Sequence, residues 1–363
     1  MFYFLSSLRN DFFGFNIFKY ITFRTGMAAM TTFLLCIIFG PFLIKKLKEM
    51  KIREIAKRED CPDLDKFQHS KEGTPTMGGL FIIGSIVFSI LLWADLSNRF
   101  VLLTLFTCIW LAILGFIDDY AKLTKKIKGK RGLSKRAKLF WEILLGCIVG
   151  AFIYFHSDNS TKLDVPFLKN LIIDLGILYI PFVAIIVIGT SNAVNLTDGL
   201  DGLAIGCVLI VSLALAALSY ISGNINFSDY LFIPFVEGAG ELTVVCAAVI
   251  GASLGFLWFN CHPATVFMGD VGSLPLGGTL GVIAVLIKKE LLLVILGGIF
   301  VLEAMSVILQ VTSFKTTGKR IFKMSPFHHH LQLSGWNESK IIIRFWIIAI
   351  ILALLTLTTL KLR

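Results

Sequence analysis

The sequence predicts an all-α polytopic membrane protein, and three observations carry the prediction. Apolar residues make up 56% of the 363-residue chain and charged residues only 16%, where a soluble domain carries about a quarter. Stretches of roughly twenty apolar residues recur, each long enough for a bilayer core of about 30 Å. The remaining charges are gathered between those stretches. This composition excludes a large soluble domain. The net charge of +10 is then a property of loops, and no nucleic acid partner is implied.

Residues 1–22 are read as an interfacial lead-in, rich in Phe and Tyr, which favour headgroup depth. They lack the compact apolar stretch and small-residue site of a cleaved signal. Ten transmembrane helices follow, at about 23–44, 77–94, 100–117, 138–155, 172–190, 200–221, 241–259, 266–287, 291–313 and 341–360. Glu303 and Gln310 interrupt span nine, where the helix is expected to bend although no proline marks a break. Loops 45–76 and 118–138 hold nine Lys or Arg each and 314–340 holds five, against one, two and none in 95–99, 156–171 and 222–240. The positive-inside rule makes the basic loops cytoplasmic. Counting spans adds the short loops 190–200 and 260–266 to that face and leaves both termini periplasmic. Without repeats or linkers, residues 1–363 read as one domain. The seven cysteines show no CxxC pairing, so neither a disulfide framework nor a zinc site is suggested.

The topology brings four scattered polar groups to one face. Asp118-Asp119 closes span three, Asn192 to Asp201 joins spans five and six, Asp270 opens span eight, and His328-His329-His330 follows span nine. No Lys or Arg lies between Lys169 and Lys288, so Asp198, Asp201 and Asp270 have no cation nearby in sequence. Carboxylates at a membrane edge are costly unless a metal, a distant base or water satisfies them. Adjacent acids at a helix C-terminus also oppose the macrodipole, which suits a hard cation with oxygen ligands. Asp198 and Asp201 share a face if the turn is helical, and Gly199 and Gly202 permit close approach. The plainer alternatives are interfacial acids and an Asx-rich cap. Clustered carboxylates with a rim of Lys122, Lys126 and other loop lysines form the inventory of phosphoryl transfer, in an active-site cleft on the cytoplasmic side. Successive histidines point in different directions on a helix, which disfavours a histidine metal site.

Several long motifs in order resemble one known family. Lys71 with Gly73-Thr74-Pro75-Thr76-Met77-Gly78-Gly79, Asp118-Asp119-Tyr120, Asn192 to Gly202, Phe267 to Gly272 and Pro326-Phe327-His328-His329-His330 are similar to the phospho-N-acetylmuramoyl-pentapeptide transferases. These belong to the polyprenyl-phosphate, nucleotide-sugar phosphotransferase superfamily. The resemblance implies transfer of phospho-N-acetylmuramoyl-pentapeptide from its UDP carrier to undecaprenyl phosphate, with Mg2+ and release of UMP. It implies catalytic roles for Asp118, Asp119, Asp270 and His328, with the metal on Asp270 alongside Asp118 and Asp119. Substrate-binding positions are then Lys71, Thr76, Lys122, Lys126, Arg131, Asn192, Asn195, Asp198, Asp201, Gln310, His329 and His330. Asn195, Asp198 and Asp201 would line the nucleotide side. The implied setting is a homodimer in the bilayer of the bacterial inner membrane. Two departures from the pattern are a loop after Asp119 that is two residues longer and Arg131 where Lys is usual. A related N-acetylhexosamine-1-phosphate transferase and a secondary transporter are the alternatives, although a transporter would place its acids near the midplane.

Overall fold

A computed structural model describes residues 1–10, 13–50, 52, 73–124, 132–156, 161–166 and 172–361. The chain is a bundle of apolar helices, as the composition requires. The main helices are α1 (Ile21–Glu49), α2 (Gly79–Trp93), α3 (Arg99–Thr124), α4 (Lys135–His156), α5 (Tyr179–Thr197), α6 (Leu203–Ser222), the short α7 (Ile225–Leu231), α8 (Leu242–Asn260), α9 (Asp270–Leu286), α10 (Glu290–Leu296), α11 (Gly298–Thr317), the short α12 (Phe327–Gln332) and α13 (Glu338–Thr358). Among the described residues, eight of these are long and apolar enough to cross a membrane: α1, α3, α4, α5, α6, α8, α11 and α13. The second and eighth expected spans are the shorter apolar helices α2 and α9.

Several boundaries differ from the sequence reading. The helix expected from residue 172 starts at Tyr179, because Ile172–Asp174 instead pairs antiparallel with Lys162–Asp164 as β2 on β1. That hairpin is the described exception to an all-α chain. Helix α5 then continues to Thr197, so Asn192 and Asn195 are helical and not in a loop. Helix α3 runs on to Thr124, which puts Asp118 and Asp119 inside it and not at its end. The expected eighth span opens with non-helical residues, and α9 begins at Asp270. The expected ninth span is broken at Gly297, between α10 and α11. The break therefore precedes Glu303 and Gln310. Within the lead-in, Phe2–Asn10 and Phe13–Lys19 are 3-10 helices, and Phe2 and Phe18 pack on Trp93 at ring separations of 4.8 and 6.2 Å.

Small residues set the helix spacing, as in membrane bundles generally. Gly277 and Gly281 of α9, four apart, face Thr190 of α5, and Gly278 faces Leu111 of α3. Gly146 and Gly150 of α4 meet Ala184 and Ile180 of α5 in the same way. Consequently α9 is enclosed, with every residue from Val271 to Leu286 buried. At one end of the bundle a buried ion pair joins three elements. Arg24 of α1 donates to both carboxylate oxygens of Glu241 at 2.6 and 2.5 Å, and to the carbonyl of Trp93 at 3.2 Å. The opposite end holds the polar residues singled out in the sequence.

Candidate active site

Two of the sequence motifs meet through their backbones. The Gly78 and Gly79 amides donate to the Phe267 and Met268 carbonyls at 2.8 Å, and Phe267 donates to Pro75 at 2.8 Å. This pairing delivers Gly269, at φ +75°, and sets Asp270 at the first position of α9. A carboxylate is favoured there, where unpaired amides and the helix dipole converge. Helix α3 reaches the same point because Gly115 lies directly against the Asp270 backbone. Gly115→Ala should push the two helices apart. We expect about a hundredfold loss of activity, the scale of a misplacement of about 1 Å. Unchanged turnover in this variant would show that the α3–α9 contact does not set the site.

The acids then converge. Asp118 and Asp119 are 5% and 6% exposed. Asp118 Oδ1 accepts from the Leu133 amide at 2.7 Å, and Asp119 Oδ2 accepts from the Val271 amide at 3.1 Å. Lys122 Nζ lies 3.0 Å from Asp118, 3.1 Å from Asp119 and 3.0 Å from Asp270. Lys138 Nζ, from α4, also lies 3.0 Å from Asp270 Oδ2 and 4.0 Å from Asp118. Asn195 Nδ2 donates to Asp270 Oδ1 and to Ser273 Oγ, both at 2.8 Å. One ligand oxygen from each of the three aspartates lies within 4.8 Å of the others. Three carboxylates against two ammonium groups leave the cluster one charge short of neutral. The Lys122 ammonium occupies the position a cation would take, and all-oxygen donors suit a hard divalent ion.

A second polar group surrounds the turn between α5 and α6. Asp198 caps α5, and Gly202, at φ +80°, starts α6 while donating to Asn260 Oδ1 at 2.9 Å. The stretch from Asp198 to Asp201 is thus a tight turn and not a helix. Asp201 Oδ2 accepts from the Ala264 amide at 3.1 Å and lies 3.0 Å from His262 Nδ1, while the Asp201 amide donates to Glu338 Oε1 at 2.9 Å. His328 is fully buried, with its amide and Nδ1 on Glu303 at 3.2 and 3.1 Å. Its ring lies directly against Gly199, so the close approach expected at that glycine is made by a histidine. His329 Nδ1 lies 2.8 Å from Gln332 Oε1, and His330 Nδ1 accepts from the Lys323 amide at 3.1 Å. The three imidazoles thus take three separate partners. Gln310 Oε1 accepts the Ile321 and Phe322 amides at 3.1 and 2.9 Å, holding the approach to α12. Thr76 lies beside Gly269.

The structure therefore brings Asp118, Asp119, Lys122, Asn195 and Asp270 into one cluster. Asn192, Asp201, Gln310 and the histidines are held by other partners, and Asp198 caps α5. Asn195 is a direct hydrogen-bond partner of Asp270. Lys71, Lys126 and Arg131 lie outside the described residues. Sequence reasoning missed Lys138, Glu142, His262, Ser273 and Glu338. Lys138 was counted among topogenic charges. Glu142 carried a signal that went unused, because an acid within an apolar span is a functional candidate on cost alone.

A membrane bundle with this acidic and basic cluster at one end has the parts of a phospho-sugar transferase, and the comparisons agree. Residues 101–288 match the model of glycosyl transferase family 4, and residues 71–83 match signature 1 of the phospho-N-acetylmuramoyl-pentapeptide-transferases. The chain is 53% identical, over the full length of both proteins, to the phospho-N-acetylmuramoyl-pentapeptide-transferases of Citrifermentans bemidjiense and of a Geobacter species. It is 50% identical to that of Brachyspira hyodysenteriae, with 98% of each chain covered. The chain belongs to the phospho-N-acetylmuramoyl-pentapeptide-transferase family.

Proposed function

We propose that the protein transfers phospho-N-acetylmuramoyl-pentapeptide from UDP-N-acetylmuramoyl-pentapeptide to undecaprenyl phosphate, giving the lipid-linked pyrophosphate and UMP. The observation that carries this reading is the convergence of Asp118, Asp119 and Asp270 on the Lys122 ammonium at 3.0 to 3.1 Å. Family membership supports the same reading. A lipid phosphate has its second pKa near 6 and is largely dianionic at neutral pH, so it needs little deprotonation. The principal barrier is repulsion between two anions. Lys122, half-exposed at the cluster, is placed to meet an incoming phosphate, and Lys138 adds a second positive charge. Asp118, fixed by the Leu133 amide, orients the attacking oxygen or accepts its proton. Mg2+, held by Asp270 with Asp118 and Asp119, would supply charge neutralisation on the pyrophosphate. The group of Asp198, Asp201, His262 and Glu338 is assigned to the nucleotide end.

The reading includes a cytoplasmic cleft, periplasmic termini, the bacterial inner membrane and a homodimer. It is tested by incubating purified protein with labelled UDP substrate and polyprenyl phosphate, with and without Mg2+. Labelled lipid and UMP should appear together only with the ion. Uptake of substrate into proteoliposomes without UMP would favour a transporter. Direct attack is separated from a phosphorylated-aspartate path by rapid quench without lipid phosphate. UMP release with label left on the protein would sink direct attack.

A further inference from the structure

One more carboxylate is buried beside the cluster. Glu142 of α4 is 2% exposed. Its Oε2 accepts from Asn192 Nδ2 at 2.8 Å. Its Oε1 is buried and has no hydrogen-bond partner among the described residues. An unpaired buried carboxylate oxygen is costly, so a partner in another state of the protein is to be sought.

Lys138 stands four residues earlier on the same helix, where side chains are neighbours. Its ammonium instead lies 3.0 Å from Asp270 Oδ2, an oxygen that Lys122 also approaches to 3.0 Å. A divalent cation on that oxygen must displace ammonium groups of like charge. The Lys122 side chain is 45% exposed and can turn to water, whereas that of Lys138 is 18% exposed. Lys138 is the enclosed one. The unpartnered acceptor one turn along its own helix is Glu142 Oε1.

We propose that Glu142 is a positioning residue for Lys138. When a divalent cation occupies Asp270, the Lys138 ammonium moves from Asp270 to Glu142 Oε1, while Oε2 keeps Asn192. The cluster then exchanges one cation for another without leaving the largely enclosed Lys138 facing like charge. This rests on the metal reading of Asp118, Asp119 and Asp270 but requires no substrate.

The test is Mn2+ binding to the purified full-length protein without substrate, read by electron paramagnetic resonance. Glu142→Gln keeps an oxygen for Asn192 but replaces the other carboxylate oxygen with an NH2 group, which cannot accept from the Lys138 ammonium. It should weaken Mn2+ binding by about twofold to 150-fold, the range of coupling between contacting groups. In a Lys138→Met background the same substitution should have no effect, because the ammonium that needs rehousing is gone. A purely structural role would weaken binding equally in both backgrounds, and that result overturns the proposal. So does the absence of any effect in either background when Asp270→Asn abolishes binding. Mn2+ binding retained in Asp270→Asn overturns the metal reading beneath it, and the two failures are thereby distinguished.

Discussion

Asp270→Asn is expected to lower transfer by about two to three orders of magnitude, the scale of losing one preorganised electrostatic partner, while the bundle stays folded. The carboxylate is the shared partner of Lys122, Lys138 and Asn195. Asn has the same shape and can still accept from Asn195, so the packing at the start of α9 persists. It has no charge with which to retain a cation, and Asp118 and Asp119 alone then balance the two lysines. The site would change from a net deficit of positive charge to neutrality. UMP release measured across a Mg2+ series, with thermal unfolding in detergent alongside, checks both halves. Full activity with unchanged metal dependence would refute the ligand role. An equal loss of melting temperature and activity would show instead that Asp270 acts through folding.

Arg24→Met should be the most damaging single change for stability, costing about 3–5 kcal/mol, as expected when one partner of a buried ion pair is removed. Arg24 is 1% exposed, and its guanidinium forms a two-pronged pair with Glu241. The variant would leave Glu241 charged and buried, with the Asp95 amide at 3.2 Å as one remaining donor. The same guanidinium holds the Trp93 carbonyl and lies 4.7 Å from the Tyr3 ring, so the lead-in and the end of α2 loosen with it. The double variant Arg24→Met with Glu241→Met should recover much of the loss, since no charge is then stranded. Denaturation of both variants decides the matter. A single variant as stable as the parent would mean that the pair contributes nothing net.

Much of the fold was legible because lipid simplifies the code. A run of about twenty apolar residues has few fates in a bilayer, so the expected helices have counterparts in the structure. Boundaries failed where polar residues belong to helices. Asn192 and Asn195 read as loop residues, yet α5 carries them to Glu142, Asp270 and Ser273. Their hydrogen bonds are tertiary and leave no local trace. The acids themselves were legible from their cost near a membrane. The roles of Lys138 and His262 were not, since a lysine in a basic loop and a histidine before proline resemble their neighbours. Residues Ile172–Asp174 look like the start of a span, but their partner is the strand Lys162–Asp164.

The enclosure of α9 has a consequence for how the site responds to its host bilayer. Its 17 residues span only about 26 Å at a rise of 1.5 Å per residue, less than a hydrocarbon core of about 30 Å. A lipid-facing helix so short would thin the membrane or tilt to relieve the mismatch. Because α9 is wrapped by protein from Val271 to Leu286, it has no acyl chains to match. Membrane thickness acts on the outer helices, and the depth of Asp270 is fixed by glycine contacts with α3 and α5.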